Sequence, residues 1–268
     1  MTSLEELFQA VCQSPDDDEP RLRYAAATGD AERSELIRLQ VDRAAAERRD
    51  RRLRGAPAAR ESELLRRHGA SWAHALERYV REDPRDPGHP GWELERGFVA
   101  FARLAPERFF ALGDRLFALA PIQHVDLIAP EGPVRPLFAA PQLARLESLS
   151  MVALGLDDDD AEAMAECEAL RRCVWIDLRG NRIGYRGVRA LAASPYFRDK
   201  ARVILTDNPV DPGRLPVYDG GSLADVRDSP AALHIEQALG ARVPWFHARI
   251  SDPADRYHAR NELPIHLT

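Results

Sequence analysis

Apolar residues recur at helical spacing near the start of the chain. Between residues 4 and 11 they stand three and four positions apart, which places them on one face of a helix. Ser3 and Glu6 have the spacing of a capping box, and Ser14-Pro15 predicts the end of this helix. A longer helix is expected from Asp30 to Arg54, and shorter ones over residues 61–67 and 72–80. The first third of the chain is therefore predicted to be helical.

The second half of the chain shows a different periodicity of its apolar residues. Pairs of apolar residues separated by one residue recur there at offsets of 24, 27 and 27 residues. The pairs begin at Val125, Leu149, Ile176 and Val203. Asn181 and Asn208 each follow the second apolar residue of their pair by three positions. A period of this length is typical of leucine-rich repeats, in which a parallel strand alternates with a helix.

These two patterns predict an α/β fold: a short leucine-rich-repeat solenoid with a parallel sheet, preceded by a small all-helical domain. The stretch at residues 83–91 is rich in proline and glycine and is the predicted linker. It separates the helical domain, residues 1–82, from the repeat arc with its amino-terminal cap, residues 92–210. Residues 211–268 are predicted to form a carboxy-terminal cap and tail.

Five short motifs stand in the amino-terminal quarter of the chain. They are Leu4-Glu-Glu-Leu7, Pro15-Asp-Asp-Asp18, Arg21-Leu22, Gly29-Asp30 and Ile37-Arg-Leu-Gln40. In these motifs the segment resembles the bacterial repeat-companion domain, a small helical module that precedes repeat arrays. It departs from that family at Tyr24–Thr28, which is shorter than the family's segment and lacks its Asp-Trp pair. The resemblance implies a repeat array downstream and no particular activity.

The best-formed repeat runs from Asn181 to Pro195, with Val188 and Leu191 on one face of a short helix. This segment is similar to the ribonuclease-inhibitor type of leucine-rich repeat. That resemblance extends over residues 118–210 and implies one strand and one full helix in each turn.

Composition and charge narrow the class of protein. The 268 residues carry 37 basic and 43 acidic side chains, a net charge of −6, which disfavours bulk electrostatic binding to nucleic acid. Three cysteines cannot build a disulfide framework, so a reducing cytoplasm is expected. The amino terminus lacks a basic segment followed by an apolar run, and no apolar run is long enough to span a membrane, so neither export nor membrane insertion is expected.

One local patch keeps nucleic-acid binding open as an alternative. Residues 38–67 hold ten arginines and five acidic residues, and the helix at residues 43–54 is the part that would hold phosphates. No aromatic residue is interleaved to stack on bases. A solvated helix with ion pairs between successive turns is the favoured interpretation.

No motif of a known catalytic or metal site is present. The sequence has no phosphate loop, zinc-protease motif or nucleophile elbow. The acidic run Asp157–Asp160 is interpreted as a helix start, and Cys167 and Cys173 as buried structural thiols. We therefore predict no enzyme, no cofactor and no metal. An unrecognised hydrolase-type enzyme, with His247 or His258 paired to a carboxylate, remains the alternative.

The strand face of the repeats is the candidate binding surface. Residues flanking each apolar pair point away from the core, so we expect an exposed face that contacts another protein. The predicted contact residues are His124, Asp126, Ser148, Ser150, Trp175, Asp177, Arg179, Arg202 and Thr206. An exposed Trp near Arg is typical of an interface anchor. The alternative is that Trp175 packs beneath the helical domain or the tail.

Asn181 and Asn208 are expected to satisfy backbone groups at the turns that follow the strands. The predicted function is thus a non-enzymatic protein–protein interaction module or scaffold. The identity of the partner, the oligomeric state and the role of residues 211–268 are left open.

Overall fold

The computed structural model describes residues 3–49, 59–84, 86–198, 200, 202–210, 218–219, 222–223 and 230–247. The described chain is mixed α/β with parallel strands, which confirms the predicted class at that level. It divides into two compact units. The first takes in Met1–Arg103 and Leu112–Gln123, and the second takes in Leu104–Ala111 and His124–Thr268.

The helices and strands follow one another in both units. The helices are α1 (Leu4–Gln13), α2 (Glu19–Ala27), α3 (Ala31–Arg49), α4 (Ala59–Glu77), α5 (Pro106–Leu112), α6 (Asp114–Leu119), α7 (Asp158–Glu166), α8 (Tyr185–Ala193) and α9 (Pro230–Leu239). The strands are β1 (Trp92–Glu95), β2 (Phe98–Leu104), β3 (His124–Leu127), β4 (Ser148–Ser150), β5 (Trp175–Asp177), β6 (Arg202–Ile204), β7 (Tyr218–Asp219) and β8 (Ser222–Leu223). Short 3₁₀ helices occupy Arg135–Ala139, Pro141–Arg145, Glu168–Arg172 and Pro244–Phe246.

The predicted start of α1 is confirmed. The Glu6 N–H donates to the Ser3 hydroxyl at 3.2 Å, and the Ser3 N–H donates to the Glu6 carboxylate at 2.7 Å. Both bonds of a capping box are therefore present, and they satisfy amide groups that the helix itself leaves without acceptors. The helix buries Leu7 and Val11 and ends at Ser14.

Helix α4 is longer than predicted. The sequence suggests a break at His68-Gly69, but α4 continues through both residues. A Cβ atom on Gly69 would lie 3.1 Å from the ring of Trp92. Glycine at this position permits close packing of an aromatic ring on the helix, so its role is in packing and the predicted break is wrong.

A β-hairpin accompanies the helices in the first unit. Strands β1 and β2 pair antiparallel, and the turn between them places Arg96 and Gly97 at φ 47° and 83°. Two consecutive residues with positive φ are typical of the type I′ hairpin turn, whose backbone twist matches the right-handed twist of the two strands. The hairpin, which the sequence analysis assigns to residues 92–210, thus belongs to the unit that contains α1 to α4.

Two polar side chains from the helices bond the hairpin turn. The Gln40 side chain accepts the Gly97 N–H at 2.7 Å and donates to the Leu94 carbonyl at 3.3 Å. Arg21 donates to the carbonyls of Glu95 and Arg96, at 3.4 and 3.3 Å. Both side chains are buried. Both residues therefore hold the hairpin turn against the helices of this unit.

In the second unit, β3 to β6 run parallel in chain order. The first residues of the four apolar pairs lie opposite one another in the register: Val125, Leu149, Ile176 and Val203. All four are buried. Helix α7 packs on α8, and α8 on α9, while the 3₁₀ helix Pro244–Phe246 lies against β6. The predicted parallel strands are confirmed.

The turns after these strands share one backbone conformation. A residue with positive φ stands four positions after the start of each apolar pair: Ala129, Ala153, Gly180 and Asp207, with φ between 47° and 66°. Pro130 and Leu154 occupy the position of the asparagine in the first two turns, so these turns are expected to differ from the other two. At the positive-φ residue all four turns agree, so this backbone feature is shared by turns with and without an asparagine.

Asn181 and Asn208 bond to the backbone in matching ways. Each side-chain oxygen accepts a backbone N–H: Leu156 donates to Asn181 at 3.1 Å, and Ile183 to Asn208 at 3.0 Å. Each side-chain amide donates to its own turn and to the preceding one. The acceptors are the carbonyls of Met151 and Leu178 for Asn181, and of Leu178 and Leu205 for Asn208. The two sets of bonds are displaced by one period of the sequence.

Candidate functional site

The predicted contact residues come together on one face of β3 to β6 and just beyond β5 and β6. His124 lies opposite Ser148, which lies opposite Trp175, which in turn lies opposite Arg202. A second row in the register joins Asp126, Ser150, Asp177 and Ile204. Alternation along each strand sends these rows to the face opposite the apolar pairs.

This face is buried, which corrects the expectation that it is exposed. The nine predicted contact residues are His124, Asp126, Ser148, Ser150, Trp175, Asp177, Arg179, Arg202 and Thr206. Each exposes between 0 and 4% of its surface. Strand alternation is a local property that assigns a side chain to a face, whereas the cover over that face depends on distant parts of the chain. The binding role of these residues stays a prediction.

Hydrogen bonds and an ion pair connect several members of the face. The ring of His124 and the hydroxyl of Ser148 are bonded at 3.0 Å through Nδ1. Arg179 donates from Nε and Nη2 to the Asp177 carboxylate, with a closest contact of 2.6 Å. Such two-point pairing is the strong form of this interaction. The face is therefore an organised set of polar groups.

Two further observations describe the rest of the face. Trp175 packs with Ile204 and Val174 in a small apolar cluster. The hydroxyl oxygen of Thr206 is buried and has no hydrogen-bond partner among the residues that the structure describes. A buried hydroxyl without a partner costs free energy. Chemically, the face offers an aromatic ring, a bonded ion pair and an unused hydroxyl group.

The arginine-rich helix is partly neutralised by acidic partners. Arg43 contacts Glu47 at 3.3 Å and Glu61 at 2.8 Å. Arg48 contacts Asp18 at 2.6 Å. Residues 50–54 of the predicted nucleic-acid-binding segment lie outside the described residues. Over its described part, the favoured interpretation of a solvated helix with ion pairs agrees with these contacts.

The acidic run at residues 157–160 begins a helix, as expected. Asp157 caps α7, and the Asp158 carboxylate accepts the N–H groups of Gly184 and Gly187 at 2.7 and 2.9 Å. Arg135 and Arg186 pair with other carboxylates of the run. Among the described residues, no group of three or more metal-ligating side chains is assembled.

The cysteines lie in the interior. Cys12, Cys167 and Cys173 are all buried, which confirms the interpretation of Cys167 and Cys173 as buried thiols. Burial raises the pKa of Cys173 to about 12, and burial also raises the pKa of Cys167. Because the thiolate is the reactive form, these environments suppress nucleophilic chemistry at neutral pH.

Of the two histidines that the sequence offers for a hydrolase-type site, His247 pairs with a carboxylate. The Nε2 atom of His247 lies 2.8 Å from Oε1 of Glu236. The same oxygen accepts the Val243 N–H at 2.7 Å, so this pair braces the chain that follows α9. His258 lies outside the described residues. A hydrolase-type activity stays an untested alternative.

Comparisons with known proteins identify no relative. No protein-family model matches the chain, no curated protein matches it, and no solved structure matches it. None of the helices that the structure describes has both the length and the apolar content needed to cross a membrane. Inferences about function therefore rest on the geometry of the molecule.

Proposed function

We propose that this protein is a non-enzymatic protein-interaction module, in which the strand face of a short leucine-rich-repeat arc binds a partner protein. The observation that carries the proposal is the polar character of that face. Eight of its nine predicted contact residues are polar or charged, although all nine are buried.

The repeat assignment has support from two periodic features. The apolar pairs and the positive-φ turn residues recur with the same offsets of 24 and 27 residues. The side-chain amides of Asn181 and Asn208 also bond equivalent backbone groups. Both features are expected of a leucine-rich repeat, whose turns must satisfy their backbone groups internally. A companion module ahead of such an arc would agree with the motifs of the amino-terminal quarter.

The energetics of burial favour a recognition role for the face. Polar groups lose hydration when they are buried, and a well-packed apolar set of similar volume is often equally stable or more stable. Packing alone would therefore not select serine, aspartate and threonine at these positions. Recognition of a partner supplies a reason for their presence.

Burial also sets a condition on binding. A partner reaches this face only in the fraction of molecules in which the face is uncovered, and its apparent affinity falls with that fraction. We place the protein in the cytoplasm, because three cysteines are too few to build a disulfide framework.

Thr206→Val is the sharpest test of this proposal. The substitution removes a hydroxyl that has no partner among the described residues and leaves the side-chain shape nearly unchanged. We expect the unfolding temperature to stay the same or rise, because a buried hydroxyl without a partner is removed. The amount of a partner enriched from nuclease-treated native extract should fall about tenfold, the value of roughly one hydrogen bond. Ser62→Ala removes an exposed hydroxyl from α4 and is the matched control, with enrichment unchanged.

Ser148→Ala provides a second variant, because its hydroxyl bonds His124 within the face. Enrichment that is the same for the wild type and for both strand-face variants would reject this face as the binding surface. Enrichment that depends on nucleic acid, and disappears after nuclease treatment or at high salt, would instead favour the arginine-rich helix.

A further inference from the structure

The first unit contains a half-open cavity that the sequence does not indicate. Its volume is about 430 Å³, and it is lined by α1, α2, the start of α3, α4, β2 and residues 118–121. Aromatic side chains form much of its wall: Phe8, Tyr24, Trp72 and Phe98. Polar side chains, among them Gln9, Ser71 and His74, also line it. A concave site that combines aromatic walls with polar groups can hold a small molecule in a defined orientation.

Arg33 supplies a cation to this cavity. Its guanidinium lies 4.8 Å from the ring centre of Trp72 and 5.1 Å from that of Phe98, and the residue is 7% exposed. Its Nη1 atom is buried and has no hydrogen-bond partner in the described part of the chain. A guanidinium in this position has favourable contacts with the aromatic faces but no bonded anion.

Asp30, the acidic residue of the cavity lining that is nearest to Arg33 in sequence, does not bind the guanidinium. One carboxylate oxygen of Asp30 accepts the backbone N–H of Arg33 at 2.9 Å, and the other accepts the indole N–H of Trp72 at 3.2 Å. Asp30 therefore fixes the start of α3 and the Trp72 ring, which forms part of the cavity wall. Its charge favours protonation of Arg33 without making a direct ion pair.

Arg21 provides a comparison within the same unit. It too is buried and lies over the Phe98 ring, at 5.4 Å. Its guanidinium nitrogens donate to the carbonyls of Pro15, Glu95 and Arg96. The chain thus supplies oxygen acceptors to Arg21. Arg33, which lies over the same Phe98 ring, faces the cavity instead.

The unmet bonding of Arg33 has an energetic consequence. Burial lowers its pKa to about 10, and the group still carries its charge at neutral pH. A buried charge is costly unless a partner of opposite charge or a set of hydrogen bonds offsets the loss of hydration. A carboxylate fits the planar, two-point geometry of a guanidinium well.

The surroundings limit the class of anion. The aromatic walls favour a flat apolar body, and the volume suits a small molecule. The lining also includes the carboxylates of Glu5 and Asp30, which would repel a ligand with several negative charges. A single negative charge at one end of an aromatic body matches this arrangement.

We propose that the cavity at Arg33 binds a small aromatic monocarboxylate, with the carboxylate on the guanidinium and the ring between the aromatic walls. This site lies within the first unit and does not depend on the role of the strand face.

Calorimetric titration of the full-length protein tests the proposal with three probes: benzoate, phenylacetate and indole-3-carboxylate. At least one is expected to bind saturably with a Kd of about 1 mM or lower. Benzamide, a neutral analogue of benzoate, should bind at least tenfold more weakly. Inorganic phosphate should compete poorly, because it lacks an apolar body.

Arg33→Met removes the charge while it keeps an unbranched side chain, and it is expected to weaken carboxylate binding at least tenfold. Arg66→Met, on an exposed position of α4 outside the cavity, is the matched control and should leave binding unchanged. Thermal unfolding of each variant verifies that it is folded, and Arg33→Lys replaces Arg33→Met if the latter is not. Lysine keeps the charge but loses the two-point geometry, so it too is expected to weaken binding.

The proposal is overturned if none of the three probes binds, or if binding is the same in the wild type and in the Arg33 variant. It is also overturned if inorganic phosphate competes as well as benzoate, since the site would then recognise charge alone. Binding that persists at pH 8 and declines as pH rises through about 10, the pKa of Arg33, would support it further.

Discussion

The two units satisfy buried backbone donors and acceptors in different ways. In the second unit, Asn181 and Asn208 make equivalent bonds one period apart. In the first unit, Gln40 and Arg21 bond backbone groups of the hairpin turn that lie 57 and 74 residues away, without the spacing of one period that relates the asparagine bonds. In the second unit, two equivalent side chains satisfy equivalent backbone groups. In the first unit, one side chain bonds several backbone groups of a single turn, so a single substitution there should lower the free energy of unfolding more.

The largest effect is expected from Gly97→Ala. Gly97 has φ of +83°, and a Cβ atom there would lie 2.2 Å from Cγ1 of Ile37. Backbone strain of about 1 kcal/mol and overpacking of about 3 kcal/mol add to a loss of about 4 kcal/mol in the free energy of unfolding. Chemical denaturation measures this loss.

Gly29→Ala is the matched control in the same unit. A Cβ atom at Gly29 meets nothing within 4 Å. We expect a change of no more than about 0.5 kcal/mol, as is usual for surface substitutions. Equal losses for the two variants would show that the close approach at Gly97 does not determine the stability of the hairpin.

Arg21→Met should have the next largest effect. It removes the donor that Arg21 supplies to the carbonyls of Glu95 and Arg96, while the Pro15 carbonyl keeps its bond from Arg96. We expect a loss of about 3 kcal/mol in the free energy of unfolding. Arg33→Met, measured in the same denaturation series, should change stability by no more than about 1 kcal/mol, because lost aromatic contacts are offset by removal of a buried charge. A greater loss for Arg33→Met than for Arg21→Met would contradict this ranking.

Asn181→Ala is expected to cost about 2 kcal/mol, since it leaves buried amide and carbonyl groups without partners. Asn208→Ala removes the corresponding bonds from a less buried side chain and should cost less. Thermal unfolding of both variants measures the difference. If Asn181→Ala were as stable as the parent, the amide bonds would not contribute to the repeat.

The smallest effect is expected from Arg186→Gln. Arg186 pairs with Asp159 and Glu162 on the exposed surface of the second unit. Solvent screens such pairs and ordering the side chains offsets much of the attraction, so the unfolding midpoint should stay unchanged. A clear fall in the midpoint would mean that this surface cluster acts together as a network.

The sequence predicts the parallel strands well for a physical reason. In the pairs that begin at Val125, Leu149 and Ile176, a polar residue stands between the two apolar ones, and alternation fixes which face a side chain takes. The cover over the opposite face is not a local property. Alternation alone therefore predicts an exposed Trp175, whereas the cover over this face buries it. The periodic positive-φ residues were missed because Ala129 and Ala153 carry no glycine signal.

The cavity and the helix packing of the first unit are not predicted from the sequence, for a related reason. Arg33 stands in an ordinary charged stretch of α3, and nothing in its neighbours indicates a cavity with aromatic walls. Gly69 resembles a helix terminator because the approach of Trp92 is invisible in the local sequence. The end of α1 and its capping box were predicted correctly, since both depend only on residues a few positions apart.

The asparagine bonds have a consequence for how such a chain can change its length. Every group that Asn208 contacts lies one period beyond the group that Asn181 contacts. A tandem copy of one such 27-residue stretch, inserted in frame, would bring its own donors and acceptors and would find matching ones on the preceding copy. The asparagine bonds are therefore of a kind that an inserted copy could preserve.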